Sequence, residues 1–125
     1  MGDVAEYAAY YLQTEAGRFP VEAFINGLDS AAQRKFFFKR SLLEEFGPRL
    51  PQPHAKRLEE NLYELRFETH TGAVRVFYCF DGKRIILLHA MKKKTQKLPP
   101  QELAVALQRK QAYRATGHEQ KEQKP

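Results

Sequence analysis

The stretch Leu62–Lys97 reads LYELRFETHTGAVRVFYCFDGKRIILLHAMKKKTQK, and its pattern decides the fold. Three β-rich runs, Leu62–Glu68, Ala73–Phe80 and Arg84–His89, are joined by Thr-Gly and Asp-Gly turns. Asp81-Gly82 between two apolar runs is a strong hairpin signal. The segment therefore reads as an antiparallel three-stranded meander leaving through Lys92, Lys93, Lys94 and Lys97. Alternation puts Tyr63, Leu65 and Phe67 on one face with Val74, Val76 and Tyr78, which is apolar enough to be a core. The other face carries Glu64, Arg66 and Arg75, beside Phe77 and Cys79. A polybasic exit from a sheet repels itself unless an anion sits there, so an anion-binding face is expected.

Outward from the meander, the rest of the chain supplies something for the apolar face to pack on. Val4–Gln13 is ambiguous between helix and strand, with its tyrosines and the Gly17 stop favouring a strand. Pro20 opens a helix with an apolar stripe of Val21, Phe24, Ile25 and Leu28. Asp29 or Ser30 caps a second helix over about Ala31–Phe46, which Gly47-Pro48 stops. Leu50–Pro53 is a proline-punctuated connection, and His54–Leu58 leads into the meander. Pro99-Pro100 begins a last helix, running to about Arg114 with Leu103, Ala106 and Leu107 on one face. Residues 1–115 are expected to form one domain and residues 116–125 a disordered tail.

Composition narrows the class. The 125 residues carry a net charge of +6, the footprint of a partner rich in phosphate or carboxylate. The single Cys79 excludes an internal disulfide and reads as a packed thiol. No apolar run reaches membrane-spanning length and no signal-peptide pattern opens the chain, so a cytoplasmic location is expected. No zinc-ligand spacing, P-loop or GxSxG element is present, and no cofactor or metal is expected.

Several segments carry a resemblance. Asn61-Leu62-Tyr63-Glu64-Leu65-Arg66, Arg75–Gly82 and Leu87–Lys97, with Glu44-Glu45-Phe46-Gly47-Pro48 upstream, resemble the phage Gp49-like branch of the HigB/RelE toxin superfamily. Asn61 and Ala90 stand where that pattern usually has Gly, and Met91 where it has Phe. The resemblance runs from about Tyr10 to Tyr113. It implies a RelE/ParE-like α+β fold: an antiparallel twisted sheet of about four strands, two N-terminal helices on one face and a C-terminal helix. It also implies a type II toxin that cuts mRNA in the ribosomal A site without a metal. The expected partners are a helix-turn-helix antitoxin of HigA type, forming a toxin–antitoxin hetero-oligomer, together with ribosome and mRNA and no membrane.

By motif match, Arg75 corresponds to the family's arginine on the penultimate strand and Lys92-Lys93 to its basic pair after the last strand. Lys56 and Arg66 match further basic positions. The expected catalytic set is thus Arg66, Arg75, His89, Lys92 and Lys93, with Lys56, Arg57, Lys94 and Lys97 binding RNA. Arg75 and Lys93 are expected on the polar face or its rim, where substitution costs within about 0.5 kcal/mol. The acid and base stay open. His89 is the natural candidate, since the unperturbed pKa of the histidine side chain lies near operating pH, but a lone strand histidine following Ile85–Leu88 also reads as structural. Glu64 reads either as a base or as the group that holds Arg66, and Tyr113 as a packing residue. Two other functions remain open: a ParE-like gyrase poison, which the lysine run argues against, and a non-catalytic nucleic-acid-binding co-repressor.

Overall fold

The hairpin at Asp81-Gly82 forms, with its turn set one residue later than the dipeptide suggests. Asp81 pairs with Arg84, leaving Gly82-Lys83 as a two-residue turn in which Gly82 adopts φ +62. Glycine at the first turn position suits a connection whose twist matches that of the strands. The structure, a computed structural model, describes residues 6–93 and 97–116. Of the expected tail, only Thr116 falls within these residues.

Five strands form one sheet: β1 (Ala8–Tyr11), β2 (Ala55–Glu59), β3 (Leu62–Thr69), β4 (Gly72–Asp81) and β5 (Arg84–Lys93), in the order β1-β5-β4-β3-β2. The expectation of about four antiparallel strands is corrected in two ways. β1 runs parallel to β5, making the sheet mixed. The missed strand is β2, whose AKRLE sequence shows little apolar alternation because it forms an edge with one half-solvated face. Its hairpin to β3 turns through Glu60-Asn61, with Asn61 at φ +48. Asparagine is among the few non-glycine residues that tolerate this region. Asn61 also clamps its neighbour: Nδ2 donates to the Phe80 carbonyl at 2.9 Å, and Oδ1 accepts from the Phe80 N–H at 2.8 Å.

Helices α1 (Pro20–Asn26) and α2 (Ser30–Phe46) cover one face, packing Val21, Ile25, Phe36 and Leu43 on Leu65, Phe67, Val74, Val76 and Tyr78. Asp29 caps α2, accepting from the Ala32 N–H at 2.8 Å. The chain leaves α2 through Gly47, at φ +58, where a Cβ would fall 2.3 Å from the Tyr7 ring. Glycine is thus required there for both conformation and space. β1 is tied to α2 by Glu44, whose carboxylate accepts from the Ala9 N–H at 2.7 Å.

Helix α3 (Pro100–Thr116) packs on the opposite face, burying Ala106 and Tyr113 against Phe77, Cys79, Ile86, Leu88 and Met91. The face expected to be polar therefore has a second apolar core over part of its area. α3 is held at its far end by Lys110, buried with its ammonium donating to the Glu60 carbonyl at 2.6 Å. Tyr113 is a packing residue whose hydroxyl donates to Asp81 Oδ2 at 2.7 Å. Burial pushes the Cys79 thiol up to about 12, so it is an inert packed thiol at neutral pH.

Candidate functional site

A bulge in β5 arranges the outer face. Phe77 pairs with His89 and Tyr78 with Leu87, so Leu88 is the extra residue. Leu88 and His89 consequently both turn toward α3, and alternation resumes with Ala90 inward, Met91 outward, Lys92 inward and Lys93 outward. Without the bulge, Lys93 would face the α1–α2 side.

Beyond the reach of α3, the outer face is built from charged side chains. Arg66 and Arg75 are directly paired across β3 and β4, and Glu64 stands two residues from Arg66. Lys56 on β2 pairs with Glu64, and Lys93 lies opposite Ala73, the residue two before Arg75. The centre is a buried ion pair: Arg75 Nη1 lies 2.9 and 3.1 Å from the two Glu64 oxygens, with both side chains at least nine-tenths buried. Glu64 thus holds Arg75; Arg66 reaches instead to Glu68 at 3.5 Å. Lys93 is buried, and its ammonium pKa is lowered by desolvation and by Arg75 and Arg66, against the opposing pull of Glu64. Cations outnumber acids here, an arrangement suited to phosphate oxygens.

The structure brings Arg66, Arg75, Lys93 and Lys56 onto this face and leaves Lys92 and Arg57 on the opposite one. Lys92 lies opposite Val74, on the α1–α2 side, where its ammonium donates to Thr71 Oγ1 at 2.7 Å and its charge acts on Asp29. Successive strand residues point to opposite faces, so the Lys92-Lys93 pair cannot act as one clamp. Arg57 lies opposite Tyr63, also on the inner side, with Nε donating to the Glu59 carbonyl. Lys97 is exposed between β5 and α3, and Lys94 lies outside the described residues.

His89 is on the correct face but under α3. Its ring stacks on Phe77 with centroids 5.9 Å apart. Nδ1 lies 3.1 Å from Arg109 Nη1 and Nε2 lies 2.5 Å from Glu102 Oε1. Arginine only donates, so Nδ1 accepts and Nε2 carries the proton given to Glu102. Arg109 also donates to the Leu88 carbonyl at 3.1 Å. Both ring nitrogens are therefore committed to holding α3 on β5, which favours the structural alternative for His89. The sequence reading missed Glu102 and Arg109, seven residues apart on one helical face, which could have been paired with the strand histidine. It also expected substitution of Arg75, on the polar face or its rim, to cost little, whereas on that face Arg75 is buried and paired with Glu64.

Among the described residues no three His, Cys, Asp or Glu side chains cluster as metal ligands do, and no helix is long and apolar enough to cross a membrane. A family model described as "Phage derived protein Gp49-like (DUF891)" matches residues 23–111, from within α1 to within α3. No curated protein matches the chain.

Proposed function

The chain belongs to the phage-derived Gp49-like family, and on that premise we propose that it is the toxin of a type II toxin–antitoxin pair, an mRNA endonuclease acting on the translating ribosome. The observation carrying this reading is the concentration of Arg66, Arg75, Lys93 and Lys56 around one pinned carboxylate on the part of the outer face beyond the residues that α3 packs on.

In the proposed reaction the ribose 2′-hydroxyl attacks the adjacent phosphorus and the P–O5′ bond breaks. The products are a 2′,3′-cyclic phosphate and a 5′-hydroxyl end. Arg75, oriented by Glu64, and Arg66 hold the phosphate oxygens as charge builds on them. Lys93, which releases a proton more readily than an ordinary lysine, gives one to the leaving 5′ oxygen, and the proton lost by the 2′-hydroxyl passes to water, from which Lys93 is reprotonated. His89 keeps α3 in place and takes no part in proton transfer. Placement of the 2′-hydroxyl for attack falls to the ribosome, so free RNA is a poor substrate. The proposed inhibitor is a helix-turn-helix antitoxin encoded next to the gene.

Induced expression followed by mapping of mRNA 5′ ends tests the reading. New 5′-hydroxyl ends within translated frames, absent when initiation is blocked, are expected. Growth inhibition with intact mRNA and damaged DNA would replace it with the gyrase-poison alternative.

A further inference from the structure

β1 accompanies β5 only from Arg84 to Leu87, and the Leu12 N–H, donating to the Leu87 carbonyl at 3.0 Å, is its last link. One residue on, at the bulge, the Leu88 carbonyl is met by a side chain instead. Arg109 of α3 reaches it, and its Nη1 donates at 3.1 Å both to that carbonyl and to His89 Nδ1. Both hydrogens of Nη1 are thereby used, while Nε and Nη2 have no acceptor among the described residues. Burial lowers the Arg109 pKa, yet arginine keeps its charge at neutral pH. A partly desolvated cation with open donors is costly unless an anion can reach it.

Arg109 lines a cleft of about 560 Å³ whose other wall is the loop between β1 and α1 together with α1 itself. That loop is closed on itself. The Thr14 N–H donates to the Arg18 carbonyl at 2.8 Å, and the Arg18 N–H donates back to Thr14 Oγ1 at 3.1 Å. The backbone is thereby fixed at Arg18, whose exposed side chain lines the same cleft and has no partner among the described residues. Phe19, Pro20 and Ala23 supply an apolar wall. Glu22 is the carboxylate of the cleft, and it pairs with neither arginine.

We propose that this cleft binds a free nucleotide, with the phosphate between Arg18 and Arg109, the base against Phe19, and a sugar hydroxyl or exocyclic amine donating to Glu22. Guanidinium groups suit phosphate because their forked donors match the spacing of its oxygens. The apolar wall favours a ligand with a ring over a bare anion, and the Glu22 carboxylate repels a second phosphate beside the first. The volume lies within the roughly 300–1,000 Å³ of small-ligand sites. None of the cleft residues belongs to the cationic face, so the proposal goes beyond the ribonuclease reading and does not rest on it. A seated nucleotide joins the β1–α1 loop to α3, and a ligand that binds only the folded chain raises its stability.

The test is a titration of the full, 15N-labelled chain with adenosine 5′-monophosphate, followed by amide shifts. Inorganic phosphate and a short oligoadenylate without terminal phosphates are titrated in parallel. The mononucleotide is expected to shift the amides of Arg18, Glu22 and Ala23 ahead of those of Arg66 and Arg75, and to raise the melting temperature. Arg18→Ala, an exposed change, should weaken this binding by about tenfold, the scale of one lost charge-assisted hydrogen bond. The melt of the unliganded variant should match that of the unsubstituted chain. Arg109→Lys keeps a donor for the Leu88 carbonyl but loses the fork, and should weaken binding as well. Shifts confined to Arg66 and Arg75 overturn the proposal, as does unchanged affinity in Arg18→Ala. Inorganic phosphate bound as tightly as the nucleotide would leave the apolar wall no part. An oligoadenylate that reaches the cleft where the mononucleotide does not would make it an RNA contact, and either result overturns the proposal too. None of these readouts depends on cleavage activity.

Discussion

The outer face of the sheet has two halves made by the same strands, and they bury polar groups in opposite ways. Under α3, His89 is matched group for group: Arg109 donates to one nitrogen, Glu102 accepts from the other, and Phe77 backs the ring. In the uncovered half, Glu64 answers Arg75, while Lys93 is buried beside them with Arg66 adding to the positive field. Perturbed pKa values cluster at functional sites, and the lowered pKa of Lys93 beside Arg75 distinguishes this half from the one under α3. The contrast is the basis for the proposal that α3 and His89 belong to the scaffold and the other half to chemistry.

Removing the buried pair should produce the largest effect. Arg75→Ala strands the Glu64 carboxylate, and breaking a buried pair costs roughly 3–5 kcal/mol. This replaces the sequence-based expectation of a nearly neutral substitution. Chemical denaturation should show that loss, and Glu64→Gln in the Arg75→Ala background should recover part of it, as coupled sites do in a double-mutant cycle. Additive losses would mean that the pair is not the centre of the uncovered half.

On the covered half, His89→Gln should lower stability by roughly 1–3 kcal/mol through lost buried hydrogen bonds. Activity per folded molecule should not change. A stable His89→Gln protein with cleavage reduced by the ~10²–10⁴-fold typical of a lost acid or base would move His89 into the mechanism.

A smaller effect concerns pH. The folded-state pKa of Lys93 is lowered, so the unfolded chain holds that proton more tightly. Stability should therefore rise as pH climbs through the folded pKa toward the ordinary lysine value, and the penalty is fully present below it. Lys93→Met should flatten that rise in denaturation midpoints followed from neutral to alkaline pH. An unchanged slope would remove the depressed lysine from the account.

The meander was legible because its alternation is clean and Asp81-Gly82 marks a turn. The stripe of Val21 and Ile25, the Asp29 cap and the Gly47 stop similarly disclosed the inner helices. β2 was hidden by its polar composition and by a turn through Asn61 rather than glycine. The site was legible in residue type more than in place. Arg66, Arg75 and Lys93 share a face, but the bulge at Leu88 inverts the alternation that would otherwise put Lys93 inside. No single-sequence pattern marks a bulge flanked by apolar residues on both sides. Nor does strand periodicity reveal that α3 crosses only half of a face.

The division between Lys92 and Lys93 allows the most direct test. Adjacent in sequence and identical in charge, they project from opposite faces of β5, with only Lys93 on the proposed site. Single-turnover cleavage of mRNA on programmed ribosomes should be measured for Lys93→Ala and Lys92→Ala, with melting curves to confirm that both are folded. The account predicts that Lys93→Ala loses cleavage by about 10²-fold or more, as expected for a proton donor, while Lys92→Ala stays close to the unsubstituted chain. Equal losses in the two variants, or a fully active Lys93→Ala, would contradict it.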